Sequence, residues 1–310
     1  MINCRNIPEC LLLLSILLIT ACSGIKETGE GGILVSTEWL QEHMNDPGLI
    51  LLHSGSSDFY DSIHIPGARL IIPAEFTVEK GEVYNELPPA DSLLELLRKV
   101  GVNQDSKIVL YSQSTSLLSR TARVFLTLDY LGLGDRTFVL NGGLPAWQEE
   151  ERELTSLSPE VSPGNLKLSD LKDVIIEYAE LDTLRWSDKL VLIDARSDEE
   201  YYGAPEDGEE ASEGGHIEGA YFLPYQDFLA DDSAALFRPD KELEELFRKA
   251  GADPRKQTVV YCGSGIRASV SYLTARHLGY PVLLYDGSYQ EWSELDLPLT
   301  GPVAMPEINE

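Results

Sequence analysis

Cys262 is the residue in this chain whose surroundings most clearly prepare it for chemistry. It opens the run Cys262-Gly263-Ser264-Gly265-Ile266-Arg267. Before it, Thr258 to Tyr261 is β-branched or aromatic and predicts a buried strand. After it, Ile266, Val270 and Leu273 recur at helical spacing, and Gly279 just past His277 is a C-cap signal. Two glycines let a tight loop turn its backbone N–H groups inward around the sulfur. The helix start adds partial positive charge and Arg267 a full one, so thiolate is favoured and the pKa drawn below the free value of ~8.5. The pattern predicts a nucleophilic cysteine in a small anion-binding cradle. A structural cysteine buried at a strand end is the alternative that the loop alone leaves open.

Composition narrows what such a thiolate could act on. The chain has 310 residues, enough for two ordinary domains, and 43% of them are hydrophobic. A net charge of −28 argues against electrostatic binding of nucleic acid or an anionic membrane surface. An anionic substrate would need a local reversal of that field, which draws attention to Arg267. The other cysteines, Cys4, Cys10 and Cys22, lie in or at the end of an N-terminal segment with a weak basic region at Arg5 and an apolar run from Leu11 to Ile19. That run is short for a bilayer span. Ile19-Thr20-Ala21-Cys22 resembles a bacterial lipobox, so residues 1–21 are expected to be a signal peptide and Cys22 the lipidated first residue of an envelope protein. An ordinary secretory signal cut near Ala21 is the alternative. Either way Cys262 is left as the candidate redox-active thiol of the mature chain. His43, His53, His64, His216 and His277 show no metal-ligand spacing, and neither a metal nor a cofactor is expected.

The elements that must position Cys262 occur twice. Residues 22–32 read as a flexible tether. A strand near Leu34, a helix from Ser36-Thr37, a strand Leu49 to Leu52, a helix Leu93 to Val100, a strand Lys107 to Tyr111, a helix Arg120 to Leu131 and a strand Arg136 to Leu140 then alternate, predicting an α/β domain around a parallel sheet. His64-Ile65-Pro66-Gly67-Ala68 returns as His216-Ile217-Glu218-Gly219-Ala220. Val109-Leu110-Tyr111-Ser112 returns as Val259-Val260-Tyr261-Cys262, and Asn141-Gly142-Gly143 to Trp147 as Asp286-Gly287-Ser288 to Trp292, each roughly 150 residues on. The expected organisation is one domain over 33–155, a linker over 156–169, a second domain over 170–300 and a tail over 301–310. Ser112 stands where the second copy has Cys262 and has no evident base, so the first copy is expected to be silent. An acidic insertion between Tyr201 and His216 reads as a surface loop, or else as a lid over the interdomain cleft.

These motifs resemble the tandem rhodanese family of sulfurtransferases, over nearly all of the mature chain. HIPGA and HIEGA resemble its turn motif, Asp194-Ala195-Arg196 its Asp-x-Arg strand end, with Asp194 and Arg196 as structural support, and Cys262 to Arg267 its active-site loop. The resemblance implies two tandem rhodanese-like domains, each a parallel sheet flanked by helices on both faces. It also implies transfer of sulfane sulfur through a Cys262 persulfide to cyanide or a thiol, with Gly263, Ser264, Gly265, Ile266 and Arg267 binding the donor. Gly263-Ser264-Gly265 is similar to the loop of 3-mercaptopyruvate sulfurtransferases, but Arg267 replaces their usual threonine. Glu200 replaces the arginine with which they hold the donor carboxylate. Thiosulfate is therefore the expected donor, with Arg267 pairing its sulfonate oxygens. A 3-mercaptopyruvate sulfurtransferase and a membrane-tethered persulfide carrier are the alternatives. A cysteine phosphatase would need its arginine one position later, where Ala268 stands.

Overall fold

The computed structural model describes residues 32–81, 83–203, 214–231 and 235–301. The lipobox with Cys22, nearly all of the 22–32 tether, the acidic residues 204–213 of the insertion and the tail from 302 onward lie outside the described residues.

The first copy builds a five-stranded sheet from β1 (Leu34–Val35), β2 (Leu49–Ser54), β3 (Arg69–Ile71), β4 (Lys107–Ser112) and β5 (Thr137–Leu140), in the order β1-β5-β4-β2-β3. The second builds the same sheet from β6 (Ile175–Ile176), β7 (Leu190–Asp194), β8 (Tyr221–Phe222), β9 (Gln257–Tyr261) and β10 (Val282–Tyr285), in the order β6-β10-β9-β7-β8. Every pairing within both sheets is parallel. Parallel sheets must be covered on both faces, and the sequence of β2 and β4 accordingly lacks polar alternation. Leu51 and Val109 face α1 (Thr37–His43), α2 (Ser57–Ser62) and α5 (Gly143–Glu149), through Leu40, Tyr60 and Trp147. Ile50, Leu52, Ile108 and Leu110 face the other way, towards Leu93 and Leu97 of α3 (Ala90–Lys99) and Phe125 of α4 (Leu118–Tyr130). The second copy repeats this with α6 (Tyr178–Leu184), α7 (Asp198–Tyr202), α8 (Asp240–Lys249), α9 (Ala268–His277) and α10 (Ser288–Glu294).

Element boundaries shift from the sequence reading for local reasons. Helix α3 starts a turn early, because Pro89 at its N-cap presets the chain and the polar first turn needs no apolar residue. Ile266 lies in the loop rather than in α9, whose first residue is Ala268. Strand β2 extends through His53 and Ser54, which pair with Tyr111 and Ser112.

The two copies repeat single contacts as well as elements. Tyr60 donates its hydroxyl to Ala68 O at 2.7 Å, and Tyr201 to Ala220 O at 2.9 Å. His64 stacks on Tyr60 at 3.9 Å between centroids, and His216 on Tyr201 at 3.8 Å. Trp147 Nε1 donates to Glu153 O and Trp292 Nε1 to Pro298 O. These buried ring systems lock the turn histidines into structural roles.

Helices α4 and α9 pack against each other and join the two apolar interiors into one continuous core. Each is therefore buried almost all round, which explains why neither has a clean polar face. A two-stranded ribbon, Val78–Lys80 with Val83–Glu86, leaves the first domain and reaches the second.

Candidate active site

Strand β9 ends at Tyr261, and the chain turns at once into the loop that carries Cys262. The thiol is 1% exposed. Gly265 takes φ +79°, a backbone conformation open to glycine, and this brings the loop round to the start of α9 at Arg267 and Ala268. Among the described residues, the backbone N–H groups of residues 263–267 have no hydrogen-bond partner. Ser269 and Val270 close the first helical turn onto Ile266 O and Arg267 O. An N-terminus with free donors beside a sulfur is the arrangement that stabilises negative charge.

The loop is pinned from behind by the start of α10. Cys262 N donates to Ser288 Oγ at 3.3 Å, Tyr289 N to Cys262 O at 3.0 Å and Gln290 N to Gly263 O at 3.1 Å. Ser288 has φ +56° and is fully buried, so a strained non-glycine residue is kept at the one place where its hydroxyl can meet the nucleophile's backbone. The first copy has Gly143 there, at φ +55°, with no hydroxyl.

The first domain also reaches this loop. Arg123 of α4, 1% exposed, donates from Nη1 and Nη2 to Asp286 Oδ1 and Oδ2 at 2.5 and 2.8 Å. Its Nη2 also donates to Asn85 O. A Cβ on Gly265 would meet Asp286 Oδ1 at 2.7 Å, so the loop rests directly on this pair. Asn85, on the ribbon, donates its amide to Ser264 O and Oγ at 3.2 and 3.1 Å.

A rhodanese-like domain profile matches residues 36–150 and again 177–295, which between them hold four of the five strands of each sheet and the Cys262 loop. The chain belongs to the rhodanese family. It is 34% identical over 258 residues to a thiosulfate sulfurtransferase of Azotobacter vinelandii, covering 82% of this chain and 91% of that one. It is 33% identical to the sulfur carrier protein TtuD of Thermus thermophilus, over 85% of this chain and 94% of its relative. The 3-mercaptopyruvate sulfurtransferase of Escherichia coli is 26% identical, over 86% and 96%. The crystal structure of SseA from Escherichia coli superposes with a TM-score of 0.69 at 25% identity, covering 83% of this chain and 99% of that one. The protein is a sulfurtransferase of the thiosulfate and 3-mercaptopyruvate type.

Within this rhodanese the residues singled out by sequence fall as follows. Gly263, Ser264, Gly265, Ile266 and Arg267 surround Cys262 in one loop. Asp194 and Arg196 form a buried pair at the end of β7, with Arg196 Nη2 also donating to Gly215 O and the guanidinium lying 3.9 Å from the Tyr289 ring centroid. Asp194 lies in register with Tyr261, the residue before the nucleophile, and the Arg196 guanidinium lies over its ring.

Arg267 departs from the expectation of a free guanidinium awaiting a donor. It donates from Nη1 and Nη2 to Glu200 Oε2 and Oε1, at 2.5 and 2.6 Å, while also interacting with Cys262. The Glu200 hydrogen bond, opposed by burial and assisted by the Cys262 charge, raises the Arg267 pKa. Burial works against ionisation of Glu200, yet the bond and charge of Arg267 hold its carboxyl below the ordinary value. Glu200 is the residue noted in sequence as standing in an arginine's place, and here it meets the arginine that the loop supplies.

In the first copy, Ser112 donates its hydroxyl to Ser114 O at 2.6 Å. His53 occupies the register position of Asp194, and Gly55 that of Arg196. Ser288, Asp286, Arg123 and Asn85 were missed by sequence reasoning. The signal available was the returning motif, in which Asp286 replaces Asn141 and Ser288 replaces Gly143; nothing local marks Arg123 or Asn85.

Proposed function

We propose that the second domain transfers sulfane sulfur from thiosulfate, through a Cys262 persulfide, to cyanide or a thiol, and that the first domain is catalytically silent. The Cys262 thiolate attacks the outer sulfur of the donor. A new S–S bond forms, the S–S bond of thiosulfate breaks, and its electron pair leaves with sulfite. An acceptor nucleophile then attacks the outer persulfide sulfur, forming thiocyanate or a new persulfide and returning the thiolate. The observation that carries this reading is the cysteine at an unpartnered row of N–H donors with Arg267 against it. The donor is read from Arg267, placed to take its sulfonate oxygens, and thiosulfate sulfurtransferases are among the relatives of the chain.

The test is a side-by-side turnover assay with thiosulfate and 3-mercaptopyruvate, cyanide as acceptor, and mass spectrometry for the added sulfur on Cys262. A higher kcat/KM for thiosulfate is expected. A clear preference for 3-mercaptopyruvate would reverse the donor assignment. Similarity to TtuD supports a second reading, a persulfide carrier, in which Cys262 loads but cyanide turnover stays negligible.

We also propose export and lipid anchoring at Cys22, on the strength of Ile19-Thr20-Ala21-Cys22. Cys22→Ala should then accumulate unprocessed precursor. A soluble wild-type form beginning at another residue would refute the anchor.

A further inference from the structure

Beside Cys262, at 1% exposure, the Arg267 guanidinium lies 3.1 Å from where a Cβ on Gly263 would sit and its charge is felt by the thiol; its side chain is 31% exposed and pairs outward with Glu200 at 37%. Glu200 spends both carboxylate oxygens on the two terminal nitrogens of the guanidinium. That is the same two-pronged face a sulfonate or carboxylate of a donor would use. We propose that Glu200 is the specificity-determining residue of this site, a carboxylate that competes with the donor's anionic group for Arg267. The proposal rests on the reading that Arg267 receives that group.

Two features make the exchange feasible. Glu200 is the third residue of α7, and its Oε2 also accepts from Ser197 N at 3.2 Å, within a capping box. Arg196 lies close enough to favour its charged form as well. Once displaced from Arg267, the carboxylate therefore keeps a backbone donor and a second cation. Its charge is not stranded, so the exchange avoids the penalty of leaving a buried ion unpaired. The pair is also partly exposed, which places its strength in the range a ligand can match.

Glu200 would then set a charge threshold. An anionic donor gains Arg267 only by giving Glu200 up, and it approaches a carboxylate of its own sign. A donor that reaches the sulfur without using Arg267 meets no such competition. The residue thus discriminates by charge at the reacting end.

The experiment compares the full-length wild type with Glu200→Gln, whose amide oxygen can still accept from Ser197 N and so preserve the cap of α7. Alkylation of Cys262 by anionic iodoacetate and by neutral iodoacetamide is followed by peptide mass spectrometry, beside kcat/KM for thiosulfate. Glu200→Gln should raise the iodoacetate-to-iodoacetamide rate ratio about fivefold or more, the equivalent of one modest ion pair released. Glu199→Gln, an exposed carboxylate on the same helix, should leave the ratio unchanged. In an Arg267→Ala background the effect of Glu200→Gln should largely vanish. An equal change with both reagents would mean that Glu200 tunes the sulfur itself, and would overturn the proposal, as would no change or an effect that survives loss of Arg267. If the ratio rises while thiosulfate fails as a donor in both proteins, the competition stands and the donor assignment falls.

Discussion

Cys262 and Ser112 occupy one position in two copies of a domain, yet their surroundings have diverged further than the two side chains. Cys262 has the Ser288 hydroxyl on its backbone and Arg267 at its sulfur, whereas the Ser112 hydroxyl is given to Ser114 O. Cys262→Ser should therefore abolish both persulfide formation and cyanide turnover, and Ser112→Ala should leave both within about twofold, since the lost contact is a single neutral hydrogen bond. A large loss in a folded Ser112→Ala protein would count against a silent first domain. The first copy carries a pH signature instead. Burial, only partly offset by Gln113, pushes the His53 pKa down from 6.5 to about 4. The unfolded chain thus binds the proton more readily, so stability from a neutral His53 is complete above pH 6.5 and is lost as pH falls towards 4. The full effect is about 3 kcal/mol. Melting temperatures of His53→Gln should be flatter than those of wild type across that window; parallel curves would show that another group controls the acid limb. At this scale the sequence spoke clearly where chemistry is local. Cys262 and Arg267 announce themselves by spacing within one loop, but the Arg267–Glu200 pair joins residues 67 apart, and no spacing rule reaches that far.

Elements were legible where hydrophobic period and repeat agree, which is why both parallel sheets and their flanking helices follow from the chain. The ribbon Val78–Lys80 with Val83–Glu86 was not legible, because its strands are short and half exposed and their register is irregular. It nevertheless carries Asn85 to Ser264. The active-site loop depends on such backing. At Gly265, alanine would face the left-handed penalty of ~1–2 kcal/mol, and its Cβ would press on Asp286 Oδ1 and O at 2.7 and 3.0 Å. Gly265→Ala should lower the melting temperature by a few degrees and cut turnover about tenfold or more, because the loop must lift away from Asp286 and carry its N–H groups with it. Unchanged turnover would mean that the loop is positioned by Ser288 and α10 alone.

At the scale of the whole molecule, the interface does more than hold two domains together. Asp129 of α4 accepts from Tyr272 and Arg276 of α9, and Arg123 of α4 enters the second domain to meet Asp286 beneath the loop. Arg123 and Asp286 are 1% and 4% exposed, so removing one strands the other. Arg123→Met alone should cost about 3–5 kcal/mol, read by denaturant unfolding. Arg123→Met combined with Asp286→Leu replaces the buried pair with apolar volume and should recover most of that loss, since such pairs contribute little beyond apolar replacements. Activity should not follow. The double variant removes both the carboxylate on which Gly265 rests and the guanidinium that holds Asn85 O, so the loop loses its support from the first domain. A double variant that is stable yet slow would assign the pair to positioning the nucleophile. Full recovery of turnover together with stability would reduce it to a structural bolt between the domains.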